Sequence, residues 1–119
     1  MSKNLDITLL LDFYGDMLTD KQRSFISYYY NDDLSLSEIA ENEGITRQGV
    51  RDAIKRAETQ LFDMEKKLGI AERARRTKDS LNAIEQCADL INEYNMSSIL
   101  SKEINDAIIR IKSVISSFE

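Results

Sequence analysis

Arg47, Gln48, Arg51, Asp52, Lys55 and Arg56 are the residues of this chain whose types and spacing could do chemistry. Steps of one and three keep them on one side of a single helix. A guanidinium fork grips guanine edges or phosphates with two parallel hydrogen bonds, and a Gln amide matches adenine. The chemistry implied is reading a nucleic acid from a helix, with no bond made or broken.

Catalysis has no comparable set. The 119 residues include no histidine, which removes His-based triads and histidine-ligated metal centres. Cys87 is the single cysteine, so it has no partner for an internal disulfide or a zinc-binding pair. Its place on an apolar stripe predicts a buried small hydrophobe. No glycine-rich phosphate loop is present. Asp32 with Asp33, and Glu41 with Glu43, fall where turns and exposed faces put carboxylates. We therefore expect no enzyme, no catalytic or metal-binding residue and no cofactor.

A reading face needs a second helix to hold it at a steep angle, and residues 34–56 supply one. Ser35 and Glu38 form a capping box, so a helix should begin near Leu36. Ile39 and the small Ala40 are its buried positions, with Ala40 allowing a close crossing. Gly44 supplies a left-handed terminus, Ile45 should plug the turn, and Thr46 caps the next helix. Val50, Ala53 and Ile54 then face inward. The result is a helix-turn-helix. Gly49 sits inside the second helix at a cost of about 1 kcal/mol against Ala. It either admits a close backbone approach or marks a weakened reader, and Asp52 adds a negative charge to the face.

The flanking chain is helical throughout. It has no proline and four glycines, and is rich in good helix formers. Residues 5–18 carry Ile7, Leu10, Leu11, Tyr14, Met17 and Leu18 on one side, a helix that the helix-turn-helix or another subunit must cover. Thr19 and Gln22 make a second capping box, starting a helix from Asp20 to about Tyr30. Its run Tyr28–Tyr30 is expected to pack, the alternative being base stacking. After Arg56, Val50, Ile54, Ala57, Leu61, Met64 and Leu68 continue a heptad seam to a C-cap at Gly69. A recognition helix over 46–68 results. Leu81, Ile84, Ala88 and Ile91 form a further seam, and Leu100, Ile104, Ala107, Ile111, Val114 and Phe118 another. Residues 92–98 separate these two runs, and Ser97 or Ser98 should cap the last helix.

The expected fold class is all-α, a sigma-region-4-like helix-turn-helix domain over 1–68 with a helical hairpin over 69–119. The hairpin packs on the long helix or mediates dimerisation. No apolar run approaches the roughly 18 residues of a membrane span, and the amino end lacks the regions of a signal peptide. A cytoplasmic protein with no membrane partner is expected.

The formal charge is −5, but it is unevenly spread. Residues 1–44 hold 3 basic and 9 acidic side chains (−6), 45–78 hold 10 and 5 (+5), and 79–119 hold 3 and 7 (−4). That distribution suits a local contact with an anionic partner. Within the central third, Arg73, Arg75, Arg76 and Lys78 are candidate phosphate contacts, which add affinity without sequence information; a solvated helix junction is the plainer alternative.

From Leu18-Thr19-Asp20-Lys21-Gln22-Arg23 to Arg56 the chain resembles the promoter-reading C-terminal domain of bacterial sigma factors. Leu11-Asp12-Phe13-Tyr14, the tyrosine run followed by Asn31-Asp32-Asp33-Leu34-Ser35-Leu36-Ser37-Glu38-Ile39-Ala40, and Arg47-Gln48-Gly49-Val50 make it similar to the YlxM family of small bacterial proteins over residues 5 to 68. That resemblance implies a DNA-binding regulator linked to the signal recognition particle. Together these features give a regulator that binds DNA, or RNA, as a homodimer; the alternative is an adaptor for protein or RNA components of that particle.

Overall fold

The computed structural model describes residues 5–118. The first four positions of the domain expected over 1–68 lie outside them. Six α-helices follow one another: α1 Leu5–Tyr14, α2 Asp20–Tyr30, α3 Leu36–Glu43, α4 Arg47–Leu68, α5 Ile70–Tyr94 and α6 Lys102–Ser116, and no strand occurs among the described residues. The chain divides into two compact units, Met1–Glu72 and Arg73–Glu119, with the boundary inside α5.

In the first unit α4 is the hub, packing against α1, α2 and α3. Its Val50, Ile54, Ala57 and Leu61 are wholly buried. They meet Ile7, Leu10, Leu11 and Tyr14 of α1, Phe25, Ile26 and Tyr29 of α2, and Leu36, Ile39 and Ala40 of α3 in one core cluster. Each large aliphatic or aromatic side chain placed there contributes about 1.5–3 kcal/mol of burial. The expected α4 seam holds as far as Met64, which is partly buried against the cluster, whereas Leu68 is exposed.

Both capping boxes form. Thr19 Oγ1 accepts from Gln22 N and Gln22 Oε1 from Thr19 N, at 3.2 Å each. Ser35 and Glu38 do the same for α3 at 3.0 and 3.2 Å. Gly44, at φ 69°, ends α3 in the left-handed region that favours glycine.

Three expectations for this unit are corrected. The first helix ends at Tyr14 and gives way to a 3-10 turn, Gly15–Met17. The tighter period of that turn carries Met17 off the apolar stripe, leaving it 60% exposed while Leu18 is buried. Ile45 does not plug the turn but lies at the surface.

In the second unit α5 and α6 run antiparallel. Lys112 of α6 pairs with Asp89 of α5 at 2.6 Å, and Phe118 comes beside Ala74, Thr77 and Leu81 at an open cleft of about 650 Å³. A π-helical turn, Asn95–Ile99, joins the helices. The buried Asn95 closes the connection, its amide donating to Ser101 O at 3.0 Å and its Oδ1 accepting from Ser101 N at 2.7 Å. Ser101, rather than Ser97 or Ser98, caps α6 through Ile104 N. α5 persists through Tyr94, so the cap can form only after the turn.

The packed stripes also differ from the expected seams. On α5 the positions turned inward are Leu81, Glu85, Ala88 and Asn92, continued by Asn95 of the π-helical turn; on α6 they are Ile104, Ile108, Ile111 and Ile115. Ile84, Ile91, Leu100, Val114 and Phe118 are exposed, each by half or more. Cys87, expected to be buried, is exposed as well. The apolar arc of each helix is wider than one partner can cover.

Candidate nucleic-acid interface

The turn between α3 and α4 is built from Gly44, Ile45 and Thr46. Thr46 Oγ1 accepts from Gly49 N at 3.0 Å, and the capped helix starts at Arg47. Gly49 has a structural reason there. A Cβ on it would lie 3.1 Å from Thr46 Oγ1 and 3.7 Å from Ile45 Cδ1, crowding the capping hydroxyl against the amide it serves. The neighbours that meet this position are side chains of the turn itself, the Thr46 hydroxyl and Ile45.

Arg47, Gln48 and Arg51 come together with Leu36 of α3 around a surface cleft of about 340 Å³. Arg47 and Gln48 are exposed and Arg51 is half-buried, so its guanidinium stem is steadied where the helices cross. Gln48 Nε2 donates to Asp52 Oδ1 at 2.9 Å. The amide and the carboxylate thus satisfy one another on the exposed face. Lys55 and Arg56 are exposed one turn further on, and Arg56 belongs to a different cleft.

That second cleft, of about 270 Å³, was not anticipated as part of the site. Thr19, Lys21, Gln22 and Phe25 of α2 line it with Ile45, Gly49, Ala53 and Arg56. Lys21 Nζ lies 5.7 Å from the centre of the Phe25 ring, close enough for a cation–π attraction. Two cations, Lys21 and Arg56, therefore border one hollow. The sequence signal available was Lys21 inside the Leu18–Gln22 motif, where the capping box accounts for Thr19 and Gln22 only.

The remaining candidates divide. Arg73, Arg75, Arg76 and Lys78 are all exposed on α5 in the second unit, and Arg75 pairs with Asp79 at 3.2 Å. The tyrosines pack, as expected: Tyr29 is buried, Tyr28 and Tyr30 lie against the core, and Tyr29 and Tyr30 meet edge to face at 5.2 Å. Tyr30 also donates to Glu58.

A polar junction at the other end of α4 from the candidate site went unforeseen. Tyr14 Oη donates to Glu65 Oε1 at 2.6 Å and accepts from Ile70 N at 3.1 Å. Glu65 Oε1 and Oε2 accept from Ala71 N and Glu72 N at 3.0 Å each. The end of α4 thus caps the start of α5, with α1 supplying the third member. Burial pushes the Tyr14 phenol up, and the hydrogen bond from Tyr14 holds the Glu65 carboxyl below its ordinary range. Glu65 looks like one more exposed helix acid in the sequence because its partners are 51 residues before it and 6 and 7 after it.

Among the described residues no cluster of His, Cys, Asp or Glu could hold a metal ion, and no helix is long and apolar enough to cross a membrane. A short α3 backing the capped start of a longer α4 defines the class: an all-α helix-turn-helix protein. Residues 1–99 match the model of the UPF0122 family, described as "Putative helix-turn-helix protein, YlxM / p13 like". The chain belongs to this family. It is 43% identical over 102 residues to a UPF0122 protein of Thermoanaerobacter sp. (strain X514), covering 86% of this chain and 87% of that one. A UPF0122 protein of Clostridium botulinum (strain Alaska E43 / Type E3) is 38% identical over 104 residues, 87% and 95% of the two chains. One of Shouchella clausii is 41% identical over 102 residues, 77% and 94%.

Proposed function

We propose that this protein is a nucleic-acid-binding regulator that reads DNA through the first two turns of α4. Arg47, Gln48 and Arg51 meet base edges, Asp52 tunes which edges are accepted, and Lys55 and Arg56 meet phosphates. The observation that carries the reading is the cleft at which Arg47, Gln48 and Arg51 converge beside α3. The exposed basic start of a second helix, braced by a shorter first one, is the arrangement that enters a major groove. Titrating duplex DNA with wild type and with Arg47→Ala/Arg51→Ala tests it. Removing each bidentate pair should cost about 1–3 kcal/mol of discrimination. Unchanged binding in the double variant would exclude this helix as the reader.

A second reading rests on Asp52, whose carboxylate stands on the same face in a chain of net charge −5. In it the protein is an adaptor for protein or RNA components of the signal recognition particle, the role the family resemblance implies. Pull-down with the particle's GTPase and with its RNA separates the two, because a DNA regulator should retrieve neither.

A further inference from the structure

The second unit leaves much of its apolar side-chain surface exposed. Ten of the seventeen large hydrophobic side chains exposed among the described residues belong to it. Among its described residues only Ala88, Asn95, Ile108 and Ile115 are buried. The α5 side of its seam is polar at Glu85 and Asn92, and Asn92 Oδ1 is buried without a hydrogen-bond partner. An unsatisfied group of this kind weakens a small core.

The exposed apolar side chains are ordered. At about 100° per residue, Ile84, Cys87, Ile91 and Tyr94 fall within an arc of about 80° on α5, roughly 100° round from the stripe that meets α6. Ala107 and Val114 fall in the same relation to the packed stripe of α6, displaced by about 70°. Because α6 runs antiparallel to α5, both displacements lead to the same side of the hairpin. The Asp89–Lys112 ion pair marks the opposite side. An apolar face results from Ile84 to Tyr94 on α5 and over Ala107 and Val114 on α6, with Arg76 in the row that leads into it on α5 and Glu103 and Arg110 in the row of Ala107 and Val114 on α6.

We propose that this face, Ile84, Cys87, Ile91 and Tyr94 of α5 with Ala107 and Val114 of α6, docks a second copy of the chain to complete a four-helix bundle. Each helix of such a bundle presents two adjacent apolar stripes because it touches two neighbours. Within the second unit each helix has one neighbour and apolar residues beyond the stripe that meets it. The missing neighbours must be two antiparallel helices of matching length, which a second hairpin supplies. Ile84, Ile91, Tyr94 and Val114 are 50%, 52%, 63% and 52% exposed, and with Cys87 and Ala107 they offer about 500 Å² per copy by usual side-chain areas. A two-fold pair would bury about 1,000 Å² before its rim is counted, the size at which a specific interface begins. The proposal stands independently of the nucleic-acid reading.

Sedimentation equilibrium of the full chain tests it. Wild type should reach twice 13.7 kDa at micromolar concentration, and a short bis-maleimide should link two chains through Cys87. Ile91→Glu should raise the dimer dissociation constant by at least about 100-fold, since each copy then desolvates an unpaired carboxylate. Ile109→Glu, also exposed but off this face, should leave it unchanged, and helicity by circular dichroism should match wild type in both. A wild type that stays monomeric overturns the proposal, even if the face captures another protein. So does a dimer that Ile91→Glu and Ile84→Glu leave intact.

Discussion

Asp52 and Glu65 are both carboxylates on α4, and their surroundings give them opposite parts. Asp52 is exposed and held by Gln48, so its charge bears on whatever approaches that side of α4. Asp52→Asn should tighten binding to unrelated DNA by several-fold while narrowing the gap between preferred and random sequence, since phosphate attraction carries most nonspecific affinity. Equal affinities for wild type and variant would deny Asp52 any part in selection. Glu65 instead looks inward at Tyr14 and the α5 amides. Its carboxyl is held below the ordinary value, so its contribution is complete above about pH 4.5 and lost as pH falls through the lowered range. Tyr14, pushed up, contributes fully below about pH 10 and loses that contribution as pH rises. Glu65→Gln should flatten the acid limb of the thermal stability curve and Tyr14→Phe the alkaline limb. Variant curves parallel to wild type would remove the junction from the pH response.

At the scale of elements, α4 carries the first unit. Ile54 is buried in the core that α4 shares with α1, α2 and α3, and Ile54→Ala should cost about 2–5 kcal/mol in denaturant unfolding, a transfer loss plus a cavity. Thr46→Ala removes the α4 cap and should cost about 1 kcal/mol. A Thr46 variant as stable as wild type would mean that the turn, not the hydroxyl, starts the helix. The caps and boundaries of α2, α3 and α4 were legible in the sequence because the signals are local: a hydroxyl, a Glu or Gln three residues on, a glycine at the end. The 3-10 turn after Tyr14 and the cap at Ser101 were not, because each depends on where a neighbouring helix stops.

The whole molecule is acidic, with its positive charge concentrated in residues 45–78. If Arg73, Arg75, Arg76 and Lys78 bind phosphates, replacing all four by Ala should weaken binding by a similar factor for every DNA sequence. It should also lower the salt slope by about 0.9 for each phosphate no longer neutralised. A change that depends on sequence would assign them to base recognition, and no change would leave them a solvated surface.

The helix-turn-helix, its inward residues and its exposed basic set follow from periodicity, capping chemistry and glycine placement, all of which act within a few residues of each other. The sequence also determined that the last two helices carry apolar faces. It did not determine which face meets which partner, since an apolar arc wider than one helix can cover fits several heptad traces equally well. Only the tertiary structure decided that Leu81, Ala88, Ile108 and Ile115 turn inward while Ile84, Ile91 and Val114 stay out. It likewise gathered Arg47, Gln48 and Arg51 at one cleft and Lys21 with Arg56 at another. Those choices belong to the packing of helices distant in sequence, where the crossing of two surfaces selects among residues that helical periodicity treats alike.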